Sequence, residues 1–239
     1  MADAAPCVLR TFLFAPGNHP RRVEKALSLG ADAVILDLED AVAVGEKAST
    51  RTAVVKALDG PRTCKAYIRI NAIGTEWCLG DLMEVVRPGL DGIVLPKVES
   101  AADLRTIDWL VTNLERERGL PPGGIDLMPI IETAAGFSRL DRIFGARSLK
   151  DYGGPWRVKR MAFGAADFTN DVGMAWTPGE HLAARIADGT ELGLWQRGGG
   201  KGEKPEPITR PGDVSRIEAE KSRRLARARR FQARARGSQ

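Results

Sequence analysis

The sequence predicts an α/β protein of the TIM (β/α)8-barrel type, and three observations carry that reading. Six continuously apolar runs begin near residues 8, 32, 64, 91, 125 and 160, a spacing of 24 to 35 residues that fits a strand, a helix and two loops. The runs do not alternate apolar with polar, as expected of parallel strands covered on both faces. Polar residues close nearly every run. Barrels place functional groups at the C-terminal ends of several strands, whereas open doubly wound sheets gather them at one switch point.

The elements follow in order. The strand "VLRTFLFAPG" leads into "HPRRVEKALSLG", which sets Val23, Ala26 and Leu27 on one helical face and ends at Gly30, a left-handed cap. "DAVILDLED" closes on Asp37, Glu39 and Asp40, ahead of a helix beginning near Gly45. "CKAYIRIN" ends with Arg69 and Asn71, and "DGIVLPKVE" with Lys97. "SAADLRTIDWLVTNLERERG" opens with Ser100 and Asp103 in capping-box spacing, lines up Leu104, Ile107, Leu110, Val111 and Leu114, and stops at Gly119. "IDLMPIIET" terminates at Glu132, and "RMAFGAADF" runs apolar to Asp167.

After residue 172 the pattern stops, so about six β-α units are readable, with no seventh or eighth strand and at most one short helix beyond them. The expected organisation is an incomplete barrel domain over 1–180 and an atypical Gly/Pro- and Arg-rich tail over 181–239, partly disordered.

Charge divides at the same place. Residues 1–180 carry 22 Lys and Arg against 24 Asp and Glu, while 181–239 carry 14 against 7, so the overall +5 belongs to the tail. No apolar run reaches the ~18 residues of a membrane span, and "MADAAPCVLR" lacks the basic and apolar regions of a signal peptide, so a cytoplasmic protein without a membrane partner is expected. Cys7, Cys64 and Cys78 have no disulfide or zinc spacing, and two histidines exclude a multi-histidine metal site. No G-x-G-x-x-G follows the first strand, and "RGGGKGEK" fails the P-loop pattern.

The chemistry therefore rests on carboxylates, Arg and Lys. Glu132 and Asp167, at the ends of buried strands, need a cationic partner. Either they cap helices and pair with Arg or Lys, or together they bind Mg²⁺, a hard ion that keeps part of its water shell. Asp37, Glu39 and Asp40 either cap the following helix or support such a site. Arg69 either pairs with Asp37 or Asp40 or holds a substrate carboxylate or carbonyl, roles that are compatible. Lys97 fits an ion pair better than a Schiff base.

Taken together, "LFAPGNHPRRVEKAL", "GADAVILDLEDAV", "RIN", "GIVLPKVES", "PIIET" and "FGAADF" resemble the HpcH/HpaI aldolase and citrate lyase β-subunit family over about Arg10 to Asp171. Within it the chain looks most like the citrate lyase β-like CoA-ester lyases, relatives of malyl-CoA and citramalyl-CoA lyase. The resemblance implies a (β/α)8 barrel, usually a homo-oligomer, that binds Mg²⁺ and makes or breaks a carbon-carbon bond between a CoA-thioester enolate and a keto acid. Glu132 and Asp167 fall on the family's metal ligands, Arg69 on its substrate-binding arginine, and Asp37, Glu39 and Asp40 on the acidic motif that supports both. Lys25, in and after the "FAPGNHPRR" loop, falls where relatives contact CoA.

The chain departs from the family after "GAAD". Relatives continue with two more strands and a C-terminal segment that supplies an acidic catalytic group, and the Gly- and Arg-rich tail matches neither. An altered reading frame or a truncation near residue 180 would explain the change. Two alternatives stand beside the CoA-ester lyase: a CoA-independent hydroxy keto acid aldolase, and a catalytically impaired barrel fragment whose eight-cation terminus binds nucleic acid or an acidic partner. The first lacks the histidine that branch places near its acidic motif, and the second lacks aromatic residues interleaved with the cations, apart from Phe231.

Overall fold

The computed structural model describes residues 9–146, 157–173, 182–185 and 191–194, the last two segments as backbone strands. By its contacts the chain divides into two units, Met1–Leu182 and Ala183–Gln239. The first contains six parallel strands in strictly sequential order, curled as half a barrel: β1 (Phe12–Pro16), β2 (Ala33–Asp37), β3 (Lys65–Arg69), β4 (Gly92–Leu95), β5 (Asp126–Ile131) and β6 (Ala162–Phe163). Between them lie α1 (Pro20–Ser28), α2 (Lys47–Leu58), α3 (Cys78–Val85), α4 (Ala101–Glu117), α5 (Ala134–Phe137) and α6 (Leu140–Phe144), and α7 (Ala165–Asp171) follows β6. None of the described helices is long and apolar enough to cross a membrane.

Local chemistry sets the boundaries. Proline starts α1, and Gly30 after it has φ 77°. The capping box of α4 forms as the sequence predicts, Ser100 Oγ accepting from the Asp103 N–H and Asp103 accepting from the Ser100 N–H. Gly119, with φ 66°, follows that helix. Along each strand side chains alternate between two faces. One face packs on the helices: Val34, Leu36, Ile68, Ile93, Leu95, Leu127 and Ile131 meet Val23, Val54, Leu58, Leu82, Leu104, Ile107 and Val111 in the main core. The other face lines the concave side, where Ala33, Ile35, Tyr67, Val94, Met128 and Ile130 form a smaller cluster. Tyr67 pairs with Gly92 in register, and a Cβ at Gly92 would collide with its ring, so glycine makes room for the phenol.

The concave parity decides where the polar residues point. Asp37 pairs with Arg69 across β2 and β3, and Arg69 with Val94 across β3 and β4. Counting in twos along β5 from Met128 and Ile130, Glu132 is the next concave position beyond the strand end.

Two sequence expectations need correction. Asp167 does not end the sixth strand: β6 is two residues long, and Asp167 lies in the first turn of α7, because the run breaks at Gly164. The region after residue 172 is not strand-free: Leu182–Arg185 and Glu191–Leu194 form β7 and β8 of a separate two-stranded sheet. Unlike the earlier runs, "LAAR" and "ELGL" are not continuously apolar, so the pattern used for the first six strands misses them. The basic tail from residue 195 onward and Cys7 lie outside the described residues.

Candidate active site

The C-terminal ends of β2 to β5, with α7, bring together Asp37, Glu39, Asp40, Arg69, Lys97, Glu132 and Asp167. Asp37 is the organiser. It is buried and accepts four hydrogen bonds, from the N–H groups of Glu39 (2.8 Å) and Ala41 (3.1 Å) and from Arg69 Nε (2.7 Å) and Nη2 (2.5 Å). The bidentate fork fixes the guanidinium plane. Arg69 Nη1 then reaches Glu39 Oε2 at 3.0 Å and Asp40 Oδ2 at 3.3 Å, and the Phe14 ring stacks 5.2 Å from its Cζ. Despite burial, these anions push the Arg69 pKa up, so the side chain is a permanent cation.

Lys97 lies on the other flank. Its Nζ is 2.5 Å from Glu39 Oε1, 3.6 Å from Asp40 and 3.7 Å from Asp167, and its backbone N–H donates to Glu132 Oε1 at 2.8 Å. These anions outweigh the effect of burial and raise its pKa, which favours the ammonium over the free amine that a Schiff base needs. The ion-pair reading of this lysine holds.

Behind the site a second polar network holds the main chain of the acidic loop. Buried Lys47 donates to the carbonyls of Leu38 (3.1 Å) and Glu39 (3.0 Å) and to Asn71 Oδ1 (2.6 Å). Asn71 in turn donates to Asp81, which Arg51 pairs at 2.7 Å. Sequence reasoning placed Asn71 at a strand end but missed Lys47, Arg51 and Asp81, which sit on α2 and α3 with no local signal linking them.

Five carboxylates against two cations leave the cluster with a negative surplus. It shows in Glu132, whose carboxyl is pushed up to about 7, first by burial and then by Glu39 and Asp167. Burial also raises Glu39. Gly164 packs directly on Glu132, and any Cβ there would run into the carboxylate, so the glycine keeps that side clear. Among the described residues no three Asp, Glu, His or Cys side chains converge as a ready metal cage. Two carboxylates with surplus charge suit Mg²⁺, which leaves its other positions to water and substrate oxygens. Lys25 is not part of the cluster; it lies exposed in the last turn of α1.

Residues 10–187 match the HpcH/HpaI aldolase/citrate lyase family. The chain belongs to this family. It is 37% identical over 185 residues to the citrate lyase subunit beta of Leuconostoc mesenteroides subsp. cremoris, covering 77% of this chain and 56% of that protein. The L-malyl-CoA/beta-methylmalyl-CoA lyase of Cereibacter sphaeroides is 35% identical over 173 residues, covering 70% of this chain and 52% of the relative. Among solved structures, the Mycobacterium tuberculosis citrate lyase beta subunit complexed with oxaloacetate and magnesium superposes with a TM-score of 0.52 at 30% identity, covering 76% of this chain and 66% of that one. The chain spans about half the length of the curated relatives it matches.

Proposed function

We propose that this member of the HpcH/HpaI family is a Mg²⁺-dependent carbon-carbon lyase acting on a short hydroxyacyl-CoA thioester or citryl thioester, within a homo-oligomeric (β/α)8 barrel. The observation that carries the reading is the negative surplus around Glu132, set against a fixed guanidinium at Arg69. Relatives named citrate lyase and malyl-CoA lyase, and a neighbour solved with oxaloacetate and magnesium, support the substrate class and the metal.

In this reading Glu132 and Asp167 hold the ion. When bound, Mg²⁺ supplies Lewis-acid polarisation of the carboxylate and carbonyl oxygens of a keto acid. Arg69 does the protein's share of charge stabilisation. Its Nε and one Nη2 hydrogen are held by Asp37, and Nη1 lies against Asp40 and Glu39, so the guanidinium would offer its charge in a fixed orientation to an oxygen that gains negative charge as the bond breaks. Asp37, Glu39 and Asp40 act by keeping the guanidinium in one orientation. Because the fork is set before substrate arrives, little reorganisation is needed during the reaction. Lys25, with the loop before α1, would contact CoA. Among the described residues β1 and β6 have a strand on one side only, and the remaining barrel strands or a neighbouring subunit would cover those edges.

The test is Mg²⁺-dependent release of a keto acid from malyl-CoA or citramalyl-CoA, with Glu132→Ala as control. The substitution is expected to abolish turnover, and turnover that survives it, or that ignores chelator, removes the metal assignment.

A further inference from the structure

Lys97 stands out twice. Its φ of 52° makes it the only non-glycine in the left-handed region among the described residues, a conformation that a side-chain-bearing residue seldom adopts without cause. It also meets four carboxylates: its N–H binds Glu132 Oε1 at 2.8 Å, and its Nζ lies 2.5 Å from Glu39, 3.6 Å from Asp40 and 3.7 Å from Asp167. The two facts are linked. The left-handed turn just after β4 directs the N–H to one acid while the side chain reaches the other three.

The carboxylates it touches include both proposed metal ligands. Buried Glu39 adds an independent sign of an unfilled requirement: its Oε2 lies 3.0 Å from Arg69 Nη1 yet accepts no aligned hydrogen bond. One ammonium provides a single charge and three donors, less than the four carboxylates it meets can take up. The Lys97 side chain is 37% exposed, so it is not locked in and can withdraw toward solvent.

We propose that Lys97 is a tethered counter-ion: its ammonium occupies the carboxylate cluster in the metal-free protein and competes with the divalent cation, while its left-handed main chain aims Glu132 at the site. This inference rests on the metal reading above. Lys97 is thus a positioning residue that sets how tightly the ion is held. Even with the screening of bulk water, a unit charge about 5 Å from a divalent ion weakens its binding by about tenfold.

The experiment is titration of the purified full-length chain with Mn²⁺ by calorimetry or electron paramagnetic resonance, alongside Lys97→Met, Lys97→Gly and Glu132→Ala. Lys97→Gly removes the charge while easing the left-handed backbone, so it guards against a folding defect in Lys97→Met. Both Lys97 variants are expected to bind Mn²⁺ at least about tenfold more tightly than the parent. Lys97→Met in chelator is expected to melt at lower temperature than the parent, with added Mn²⁺ restoring it. If the parent binds Mn²⁺ through Glu132 and both Lys97 variants bind equally or more weakly, the counter-ion role is overturned and the metal site stands. Absence of Mn²⁺ binding in the parent and in both Lys97 variants overturns the metal reading and the counter-ion together.

Discussion

The two ends of the same sheet handle charge in opposite ways. At the N-terminal end Asp126, Asp91 and Asp32 are matched or over-matched. Asp126 receives Tyr67 (2.7 Å), Lys159 (2.5 Å) and Arg160 (2.8 Å), Asp91 receives Lys65 (2.7 Å) and Arg62 (3.4 Å), and Asp32 accepts three hydrogen bonds from Arg10 and Thr11. Asp126 resists the effect of burial and titrates below its usual range because of these partners, and the donors on Asp32 do the same there. At the C-terminal end burial and neighbouring acids push Glu132 and Glu39 the other way. Matched charge at one end serves stability, and the negative surplus at the other is what the proposed metal site rests on.

The largest effect expected from breaking this contrast is at Arg157. It is almost fully buried beside the N-terminal end of β5 and binds Asp108 (2.5 Å), Glu115 (3.0 Å), Thr112 (2.6 Å) and the Ile125 carbonyl (2.8 Å). Arg157→Ala removes the buried cation shared by Asp108 and Glu115 and is expected to cost about 3–5 kcal/mol in urea denaturation. Mn²⁺ affinity of the protein that remains folded should not change. A loss of metal binding without a loss of stability would reverse the assignment of the two ends.

Glu132→Gln gives the next effect, with the opposite sign. The folded carboxyl titrates near 7 against an ordinary 4.5, so as pH rises the unfolded chain releases this proton first. The metal-free protein therefore loses stability between about pH 4.5 and 7, by about 3 kcal/mol in all, and the loss persists above that range. Neutral Gln removes this contribution. In chelator the variant should match the parent near pH 4 and exceed it by up to about 3 kcal/mol at pH 8, read by urea denaturation at both pH values. A variant weaker than its parent at pH 8 would show that the negative surplus is not felt.

Phe14→Leu is the smallest change. The half-exposed ring stacks on Arg69, and its loss should cost about 0.5–1 kcal/mol of stability. Because Asp37 still grips the guanidinium, KM for the thioester should move by no more than about threefold. A larger shift would mean that the ring, not the carboxylate, sets the arginine's orientation.

The C-terminal half of this contrast was legible in the sequence, for reasons of parity. Asp37, Arg69 and Glu132 close apolar runs, and a two-residue period turns all three toward the concave side. Asp167 was singled out as a candidate but placed on the wrong element, since a two-residue strand and the first turn of a helix look alike in "MAFGAADF". Lys97 was read as an ion-pairing residue, but its left-handed backbone has no signature in "LPKVE". Arg157 was missed because nothing in "PWRVKR" marks a buried cation, and its side-chain partners lie more than forty residues away on α4. Long-range polar pairs of that kind leave no local period to detect.

The strictly sequential strand order also bears on how the site comes into being. As the chain emerges from the ribosome, each strand needs only its predecessor to pair with, so the sheet can grow from the N-terminus without waiting for distant partners. The Asp37–Arg69 fork can close once the third strand is made. Glu132 and Asp167 arrive some sixty and a hundred residues later. The arginine is thus captured by its own aspartate before Glu132 and Asp167 exist, so neither of those later acids can take the guanidinium first in the nascent chain.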